Sequence, residues 1–160
     1  MIRSILTICI GNICRSPMAE ALLASELPNC VVQSAGVGAL VGEKADPIAR
    51  ELMHARGLSI EHHRARQLMR SHCMSADLLL VMDSEQKRYV ERFSPLSRGR
   101  IFRLGEFSDL DVRDPYGRGR DDFVVAFDAI EKGVRAWAEK ISSSGRRNRE
   151  SDAEESRFLK

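Results

Sequence analysis

Short apolar runs alternate with helix-like segments along the first 141 residues of the chain. The apolar runs have the length and composition of buried β-strands: Ile5–Ile8, Val31–Ser34, Leu78–Met82 and Ile101–Leu104. Helical spacing or helix-start signals mark the segments around them: Pro17–Glu26, Asp46–Gly57, Arg66–Ser71, Ser84–Phe93 and Asp121–Ile141. Because strands that alternate with helices pack as a parallel sheet covered on both faces, this pattern predicts an α/β fold with four parallel strands.

The pattern ends near Ile141. The last predicted helix has apolar residues at i, i+3 and i+4 spacing, at Phe123, Phe127, Ile130, Val134, Trp137 and Ile141. Residues 142–160 are rich in Ser, Arg, Asn, Glu and Asp and have no such spacing. The sequence therefore predicts one domain at residues 1–141, followed by a disordered tail at residues 142–160.

The composition argues against several classes of function. The 25 basic and 23 acidic residues leave a net charge of +2, which is too small to indicate nucleic-acid or membrane binding. No apolar stretch is long enough to span a bilayer, and the N-terminus enters a strand without a signal-peptide pattern, so we expect a cytoplasmic protein. The four cysteines, at positions 9, 14, 30 and 73, have no zinc-site spacing, and we expect neither a metal nor a disulfide framework.

The most informative segment is Cys9–Pro17, which connects the first predicted strand to the first predicted helix. At such a junction, backbone N–H groups lack helical partners, and together with the helix dipole they favour a bound anion. The same field and the Arg15 cation favour the thiolate form of Cys9, which is the nucleophilic form. A cysteine followed after five residues by an arginine therefore predicts a thiolate held against a phosphate, with Arg15 gripping two phosphoryl oxygens.

The residues within this loop fit phosphate binding, and we expect the whole run to form the site: Ile10, Gly11, Asn12, Ile13, Cys14, Arg15 and Ser16. Gly11 allows the backbone to approach a ligand closely, and Asn12 tolerates left-handed backbone. Ser16 and Pro17 form a helix-start pair, and the Ser16 hydroxyl could also hydrogen-bond the cysteine sulfur. A bare Cys-x5-Arg pattern is more often structural, but these neighbours favour the catalytic interpretation.

A thiolate that attacks a phosphoester expels an oxygen that needs a proton, which a positioned acid can supply. Asp114 is the candidate, because Pro115 fixes a turn beside it in the long loop between the last strand and the last helix. Asp109, Asp111 and Asp121 lie in or next to the same loop. Spacing alone does not decide among the four acids.

Taken together, the motifs resemble those of the low-molecular-weight protein-tyrosine phosphatases, from Met1 to about Ile141. The resemblance rests on Cys9–Pro17 with Ala19-Glu20, Ser34-Ala35-Gly36, Ala65-Arg66-Gln67, Ala76-Asp77-Leu78 and Asp114-Pro115-Tyr116. The stretch Ser34–Gly42 looks most like the bacterial branch found with capsule and exopolysaccharide systems. The resemblance implies a flavodoxin-like three-layer α/β/α fold with a central four-stranded parallel sheet.

The family resemblance also implies roles for individual residues. Cys9 would be the nucleophile, Arg15 the phosphate clamp and Asp114 the general acid, with Asn12, Ser16 and Ser34 as a supporting hydrogen-bond network. The implied reaction is hydrolysis of phosphotyrosine through a phosphocysteine, without a metal or other cofactor. Bacterial members of this branch act on tyrosine autokinases that control polysaccharide export, so we expect such a kinase as the protein substrate.

Two departures from the animal members concern the substrate slot. Those members place a second aromatic residue after the Asp-Pro-Tyr motif and another at the position of Leu40, whereas this chain has Gly117 and Leu40. We therefore expect Tyr116 and Leu40 to form the walls of the slot, with Ile10 or Ile13 at its floor.

Several residues allow more than one interpretation. Cys14 could form a reversible disulfide with Cys9 under peroxide, or it could only pack beneath the loop. Cys30 and Cys73 are interpreted as structural. His62 and His63 could reach the Asn12 network or lie at the surface.

Three other functions compete with the phosphotyrosine prediction. An arsenate reductase on the same fold needs further cysteines as a disulfide relay, and outside the loop only Cys30 and Cys73 remain, with no close downstream pair. Arginine phosphatases of this family tend to carry Thr at the position of Ile13. A phosphate-binding module without catalysis is disfavoured, because Cys9, Arg15 and Asp114 are all present.

Overall fold

The computed structural model describes residues 1–158, and the side chains of all of them except residues 148, 155 and 158. Four parallel strands form one sheet in the order β2-β1-β3-β4, with bounds β1 Ser4–Cys9, β2 Val31–Gly36, β3 Leu78–Val81 and β4 Ile101–Arg103. The helices are α1 Arg15–Glu26, α2 Pro47–Ala55, α3 Arg70–Ser75, α4 Ser84–Phe93 and α5 Arg120–Phe158. Short 3-10 turns lie at Pro95–Arg100 and Glu106–Ser108. The predicted flavodoxin-like α/β fold is confirmed.

Both faces of the sheet are buried, as the continuous apolar strands predict. On one face, Ile5 and Leu80 pack with residues of α1, α2 and α5, including Leu23, Met53 and Ile130. On the other face lies a second cluster that α3 and α4 cover: Leu6, Ile8, Leu79, Val81, Ile101, Cys73 and Val90. Alternation along each strand thus divides the core into two layers, with the sheet between them.

The topology places the Cys9 loop at the ligand end of the sheet. The chain goes from β1 to β2 on one side and then crosses to β3 on the other, so the order reverses next to β1. In open parallel sheets, ligands bind beyond the carboxyl ends of the strands at such a switch point. Cys9 is the last residue of β1 and is paired with Gly36 at the end of β2.

The short helix predicted at Arg66–Ser71 is displaced along the chain. Arg66 and Leu68 are held in extended backbone, because the Gly36 N–H donates to the Arg66 carbonyl and the Leu68 N–H donates to the Gly36 carbonyl, at 2.9 and 2.8 Å. The helix α3 begins only at Arg70. Pairing with the end of β2 therefore outweighs the local helical tendency of this segment.

The last helix differs from the prediction at its C-terminal end. Helix α5 continues to Phe158, whereas the sequence predicts that it ends near Ile141 and that residues 142–160 are disordered. The apolar stripe ends with Trp137, Ala138 and the half-buried Ile141, and the residues beyond it are mostly exposed. Residues 159 and 160 lie outside the described residues. The division into a domain at 1–141 and a tail at 142–160 stays a prediction.

Among the described residues, no helix combines the length and the apolar character needed to cross a membrane.

Candidate active site

The loop between β1 and α1 is held from outside by its carbonyl groups. The carbonyls of Cys9, Ile10 and Gly11 each accept a hydrogen bond, at 3.0 Å, from the N–H groups of Val37, Gly38 and Leu40. The carbonyl of Ile13 accepts from the N–H of Asp46 at 2.8 Å. Within residues 1–158, no N–H group of residues 10–14 donates to another backbone carbonyl, so these groups are left as donors for an anion.

Two backbone features allow this packing. Asn12 has φ +57°, in the left-handed region that Asn tolerates better than most residues. A Cβ atom at Gly36 would collide with the Ile10 carbonyl and would approach Asn12 within 3.0 Å. The close approach of β2 to the loop therefore requires glycine at position 36.

A cavity of about 130 Å³ lies over the loop. It brings together most of the predicted site residues: Cys9, Ile10, Gly11, Ile13, Cys14, Arg15, Gly38, Leu40, Asp114 and Tyr116. Asn12, Ser16 and Ser34 lie beneath the loop and do not line the cavity. The Cys9 side chain at the base is only 2% exposed, so the cavity leads from solvent to an otherwise buried thiol.

Arg15 is buried beside the thiol with its guanidinium group oriented by three neighbours. Its Nη1 donates to the Val112 carbonyl at 2.8 Å and lies 3.3 Å from Asp83 Oδ2. Its Nη2 lies 3.5 Å from Asp114 Oδ2. Within the described residues, Arg15 Nε is buried without a hydrogen-bond partner. A buried cation with an unused donor at the base of a cavity suits an anionic ligand.

The predicted supporting network is present and continuous. Asn12 Nδ2 donates to Ser16 Oγ at 2.8 Å and to Ser34 Oγ at 2.9 Å, and Asn12 Oδ1 accepts from the Arg66 N–H at 2.9 Å. Ser16 Oγ lies 2.9 Å from Cys9 Sγ. One amide side chain therefore links the loop, the end of β2 and the hydroxyl that contacts the thiol.

Two residues extend this network toward solvent: Glu20, to which the sequence assigned no role, and His63, one of the two histidines expected either to reach the Asn12 network or to lie at the surface. Ser34 Oγ donates to Glu20 Oε2 at 2.5 Å. His63 Nε2 donates to the Asn12 carbonyl at 2.7 Å, and its Nδ1 lies 3.9 Å from Glu20 Oε2. His63, not its neighbour His62, is thus the histidine that reaches the loop. Glu20 stands in a quoted family motif, but nothing in the sequence pairs it with His63.

Asp83 was also missed, because it has an ordinary local role. Its Oδ1 caps α4 by accepting from the Gln86 N–H at 2.8 Å, while its Oδ2 faces Arg15. Gln86 lies one helix turn after Asp83, and Arg15 comes near it only through the fold. The only available sequence signal was a polar residue at the end of the apolar run Leu78–Met82, where parallel strands present ligand-site residues.

The structure separates the four acids that spacing could not rank. Of these, Asp114 alone lines the cavity in the described part of the chain. Its Oδ1 accepts from the Tyr116 N–H at 3.1 Å, and its side chain is 42% exposed. Asp109 and Asp111 are bound to Arg103, and Asp121 lies in the first turn of α5.

The mouth of the cavity is apolar. Ile10, Leu40 and Tyr116 are partly exposed there, and Ile13 is buried against the inner wall. Gly117 has φ +70°, which turns the chain sharply after Tyr116. These side chains leave a narrow slot between apolar walls, which suits a flat group above the phosphate site.

All four cysteines are free thiols. Burial raises the pKa of Cys14 far above its ordinary value, with further contributions from Asp46, Cys9 and Asp114, while Arg15 opposes the shift. Cys14 is therefore a neutral thiol.

Cys30 and Cys73 do not line the cavity, so neither is placed to act as a relay for Cys9. Within the described residues, no cluster of three or more His, Cys, Asp or Glu is arranged to hold a metal ion.

Comparison with known proteins agrees with this geometry. The family model for low molecular weight phosphotyrosine protein phosphatase matches residues 4–147. The probable low molecular weight protein-tyrosine-phosphatase EpsP of Ralstonia nicotianae is 49% identical over 145 residues, which cover 91% of this chain and 100% of EpsP.

Two solved structures share the fold over nearly the same length. Vibrio vulnificus Wzb in complex with benzylphosphonate has a TM-score of 0.85 and 35% identity, and the match covers 88% of this chain and 99% of that one. The YwlE arginine phosphatase from Geobacillus stearothermophilus has a TM-score of 0.83 and 34% identity, with 89% and 94% coverage. Because the family model matches most of the chain, the chain belongs to the low-molecular-weight phosphotyrosine protein phosphatases, a family of cysteine-dependent enzymes.

Proposed function

We propose that this phosphatase hydrolyses phosphotyrosine with Cys9 as nucleophile, Arg15 as phosphate clamp and Asp114 as general acid, without a metal. The observation that carries the proposal is the convergence of these three side chains on one small cavity that reaches a buried thiol. Arg15 ties the three together, because it lies beside Cys9 in the loop and 3.5 Å from the Asp114 carboxylate.

In the first step, the Cys9 thiolate attacks phosphorus opposite the tyrosyl oxygen. The S–P bond forms as the P–O bond breaks, and Asp114 gives its proton to the departing phenoxide. The equatorial phosphoryl oxygens accept hydrogen bonds from Arg15 and from the loop N–H groups, which match the charge of the transition state better than water does. The products are a phosphocysteine and a neutral tyrosine.

In the second step, Asp114 acts as a carboxylate. It takes a proton from a water molecule that attacks phosphorus, the S–P bond breaks, and inorganic phosphate leaves. The electron pair returns to Cys9, whose sulfur lies 2.9 Å from Ser16 Oγ. A hydroxyl at that distance can donate to the forming thiolate and so makes Cys9 a better leaving group.

The walls of the slot favour an aromatic ester. Ile10, Leu40 and Tyr116 offer apolar contacts to a flat ring, and Ile13 supplies no hydroxyl or charge to a guanidinium group. The fold alone does not distinguish hydrolysis of phosphotyrosine from hydrolysis of phosphoarginine, because the YwlE arginine phosphatase shares it. Vibrio vulnificus Wzb was solved with benzylphosphonate, in which a phenyl ring is joined to the phosphonate through one carbon. Phosphotyrosine is therefore the substrate that these side chains support best.

The protein substrate we propose is a bacterial tyrosine autokinase that controls exopolysaccharide production or export, encountered in the cytoplasm. The similarity of the Ser34–Gly42 stretch to the exopolysaccharide-associated branch supports this assignment, as does the relationship with EpsP. Capture by a trapping variant, Asp114→Ala, tests it. We expect the captured phosphoprotein to be a tyrosine kinase, and elution of that protein by vanadate shows that the active site holds it.

The chemistry is tested by turnover of p-nitrophenyl phosphate and phosphotyrosine peptides in the presence of EDTA. We expect undiminished turnover in EDTA, inhibition by vanadate, and faster turnover at mildly acidic pH, because a general acid acts in its protonated form. Cys9→Ser should lose about 10⁴-fold or more in kcat/KM, because an alcohol is a far weaker nucleophile than a thiolate. Phosphotyrosine turnover by Cys9→Ser at the parental rate would sink the mechanism.

A further inference from the structure

Arg103, the last residue of β4, is surrounded by carboxylates of the segment that follows it. Its Nη2 lies 2.5 Å from Asp109 Oδ1, its Nη1 3.1 Å from Asp111 Oδ1, and its Nε 3.5 Å from Glu106 Oε2. The Arg103 side chain is only 15% exposed. We call these four residues the Arg103 hub.

The Arg103 hub also reaches the start of α4. Ser84 Oγ donates to Asp111 Oδ1 at 3.2 Å, and Arg103 Nη1 donates to Ser84 Oγ at 3.5 Å. Ser84 directly follows Asp83, the carboxylate that faces Arg15. One guanidinium group therefore connects the end of β4, the start of α4 and the loop that leads to Asp114.

The loop is fixed again at Val112, one residue beyond the hub. The Val112 N–H donates to the Met82 carbonyl at 2.8 Å, and the Val112 carbonyl accepts from Arg15 Nη1 at 2.8 Å. Asp114 lies two residues after Val112 and three after Asp111. Three extended residues span about 10 Å at most, so Asp114 cannot lie farther than that from Asp111. Asp111 and Val112 are therefore consecutive fixed points, and together they limit where the Asp114 carboxylate can lie.

The turn that brings these carboxylates around Arg103 is tight. Asp109 has φ +49°, in the left-handed region that most L-residues avoid. A Cβ atom at Gly105 would collide with the Leu110 carbonyl, and the Leu110 N–H donates to the Gly105 carbonyl at 3.1 Å. The hub contacts oppose the release of this turn.

Charge at the hub is mutually stabilised. The hydrogen bond to Asp109, and then that to Asp111, raises the pKa of Arg103. Burial raises the pKa of Asp111, but hydrogen bonds from Arg103 and Ser84 outweigh it and the net pKa lies below its ordinary value. A planar guanidinium group can bridge several carboxylates at once, which a lysine ammonium matches poorly.

We propose that Arg103 is a positioning residue for the general acid: the Arg103 hub sets the place of the Asp114 carboxylate over the Cys9 cavity. The inference rests on the proposed role of Asp114. It predicts that loss of Arg103 impairs protonation of the leaving group more than it impairs attack by Cys9.

The test compares two esters that differ in their need for the acid. Phenyl phosphate expels a strongly basic phenoxide, whereas p-nitrophenyl phosphate expels a weakly basic one. Arg103→Ala should lower kcat/KM for phenyl phosphate roughly tenfold, a part of the 10²–10⁴ that a general acid contributes. For p-nitrophenyl phosphate the loss should stay within about twofold. Arg103→Lys should lie between Arg103→Ala and the parent enzyme.

Arg56→Ala is the matched control. Arg56 makes a two-pronged ion pair with Glu131, with Nη2 2.6 Å from Oε1, and connects α2 to α5 rather than holding the Asp114 loop. It should change thermal stability without changing the ratio of the two esters. If Arg103→Ala does not fold, Arg103→Lys and Asp111→Ala make the same comparison.

The double variant Arg103→Ala/Asp114→Ala separates this inference from the proposed function. If Arg103 acts through Asp114, its substitution should have no further effect on phenyl phosphate once Asp114 is absent. Equal losses on both esters, or the same loss with and without Asp114, would overturn the positioning role. If Asp114→Ala itself keeps parental kcat/KM, the acid was assigned wrongly and both proposals fail.

Discussion

The two loops that meet at the cavity are built in opposite ways. The Cys9 loop is mostly buried and is held by backbone hydrogen bonds from the segment after β2 and by the Asn12 network. The Asp114 loop is largely exposed, and its fixed points are the Arg103 hub and Val112. The proposed nucleophile therefore lies on a buried, hydrogen-bonded support, and the proposed acid lies on an exposed segment that ion pairs hold from a distance.

This contrast divides the chemistry between the loops. In the proposed mechanism, contacts to the equatorial phosphoryl oxygens come from the Cys9 loop and are needed for every phosphoester. The proton would come from the Asp114 loop, and it matters in proportion to the basicity of the leaving oxygen. Substitutions in the first loop should slow all esters alike, and substitutions in the second should discriminate among them.

After Cys9→Ser, the largest effect is expected for Arg15→Lys. A lysine ammonium cannot grip two phosphoryl oxygens, and it would leave the Val112 carbonyl and Asp83 with poorer partners. We expect kcat/KM to fall about 10²–10³-fold, by the same factor for phenyl phosphate and p-nitrophenyl phosphate. Arg50→Lys, at an ion pair with Glu61 outside the cavity, is the control. If the fall in kcat/KM differed between the two esters, Arg15 would also affect the leaving group, and the proposed division of roles between the two loops would be wrong.

Asp114→Ala should come next and should show the opposite selectivity. We expect kcat/KM for phenyl phosphate to fall about 10²-fold, with a much smaller loss for p-nitrophenyl phosphate. Because Asp114 is 42% exposed, the thermal midpoint should stay close to that of the parent enzyme. Asp121→Ala, at a competing acid outside the cavity, serves as the control. An equal fall for both esters would show that Asp114 supports the fold or the phosphate rather than the leaving group.

The same contrast explains what could be predicted from the sequence. The Cys9 loop is one continuous segment of chain. Cys9, Asn12 and Ser16 lie within eight consecutive residues, so their proximity could be predicted from their spacing. The strands followed from their uninterrupted apolar runs, because both faces of the sheet are buried. Spacing could nominate Asp114 but could not separate it from Asp109, Asp111 and Asp121, and only the family resemblance favoured it. In the structure, Arg103 holds Asp109 and Asp111 away from the cavity that Asp114 lines.

Long-range contacts account for what was missed. Asp83 meets Arg15 only through the fold, and in sequence it is an ordinary helix-capping residue. His63 could be named for the Asn12 network, but the sequence could not distinguish it from His62 or from a surface residue. The continuation of α5 was missed for a different reason. Residues 142–158 lack an apolar stripe but contain Arg, Glu and Ala, which favour helix, and extending an existing helix needs no new nucleus.

Asn12→Ala should weaken the rigid loop itself. Alanine at φ +57° is strained, and the buried hydroxyls of Ser16 and Ser34 and the Arg66 N–H would lose a partner. We expect the free energy of unfolding to fall by about 2–4 kcal/mol, from the strain and the lost hydrogen bonds together. Urea denaturation measures this, with Asn29→Ala in the exposed turn before β2 as the control. If Asn12→Ala is as stable as the parent enzyme, the Cys9 loop contributes no more to the stability of the fold than the Asp114 loop does.

The smallest effect on basal turnover is expected for Cys14→Ser. Cys14 is buried at the start of α1, and serine has nearly the same shape, so kcat/KM should change by no more than about twofold. Its importance should appear under peroxide. Because burial keeps Cys14 a neutral thiol, oxidation should begin at Cys9.

Attack of the Cys14 sulfur on the sulfenic acid of Cys9 forms the disulfide and releases water, and a dithiol reductant later restores both thiols. Parent enzyme treated with peroxide should therefore regain its activity in dithiothreitol. Cys14→Ser should remain inactive, because unprotected Cys9 proceeds to the sulfinic acid, which thiols do not reduce. Cys30→Ser, at a thiol outside the cavity, should recover like the parent. Full recovery of Cys14→Ser would limit Cys14 to packing beneath the loop, and rigidity alone would then distinguish the Cys9 loop from the Asp114 loop.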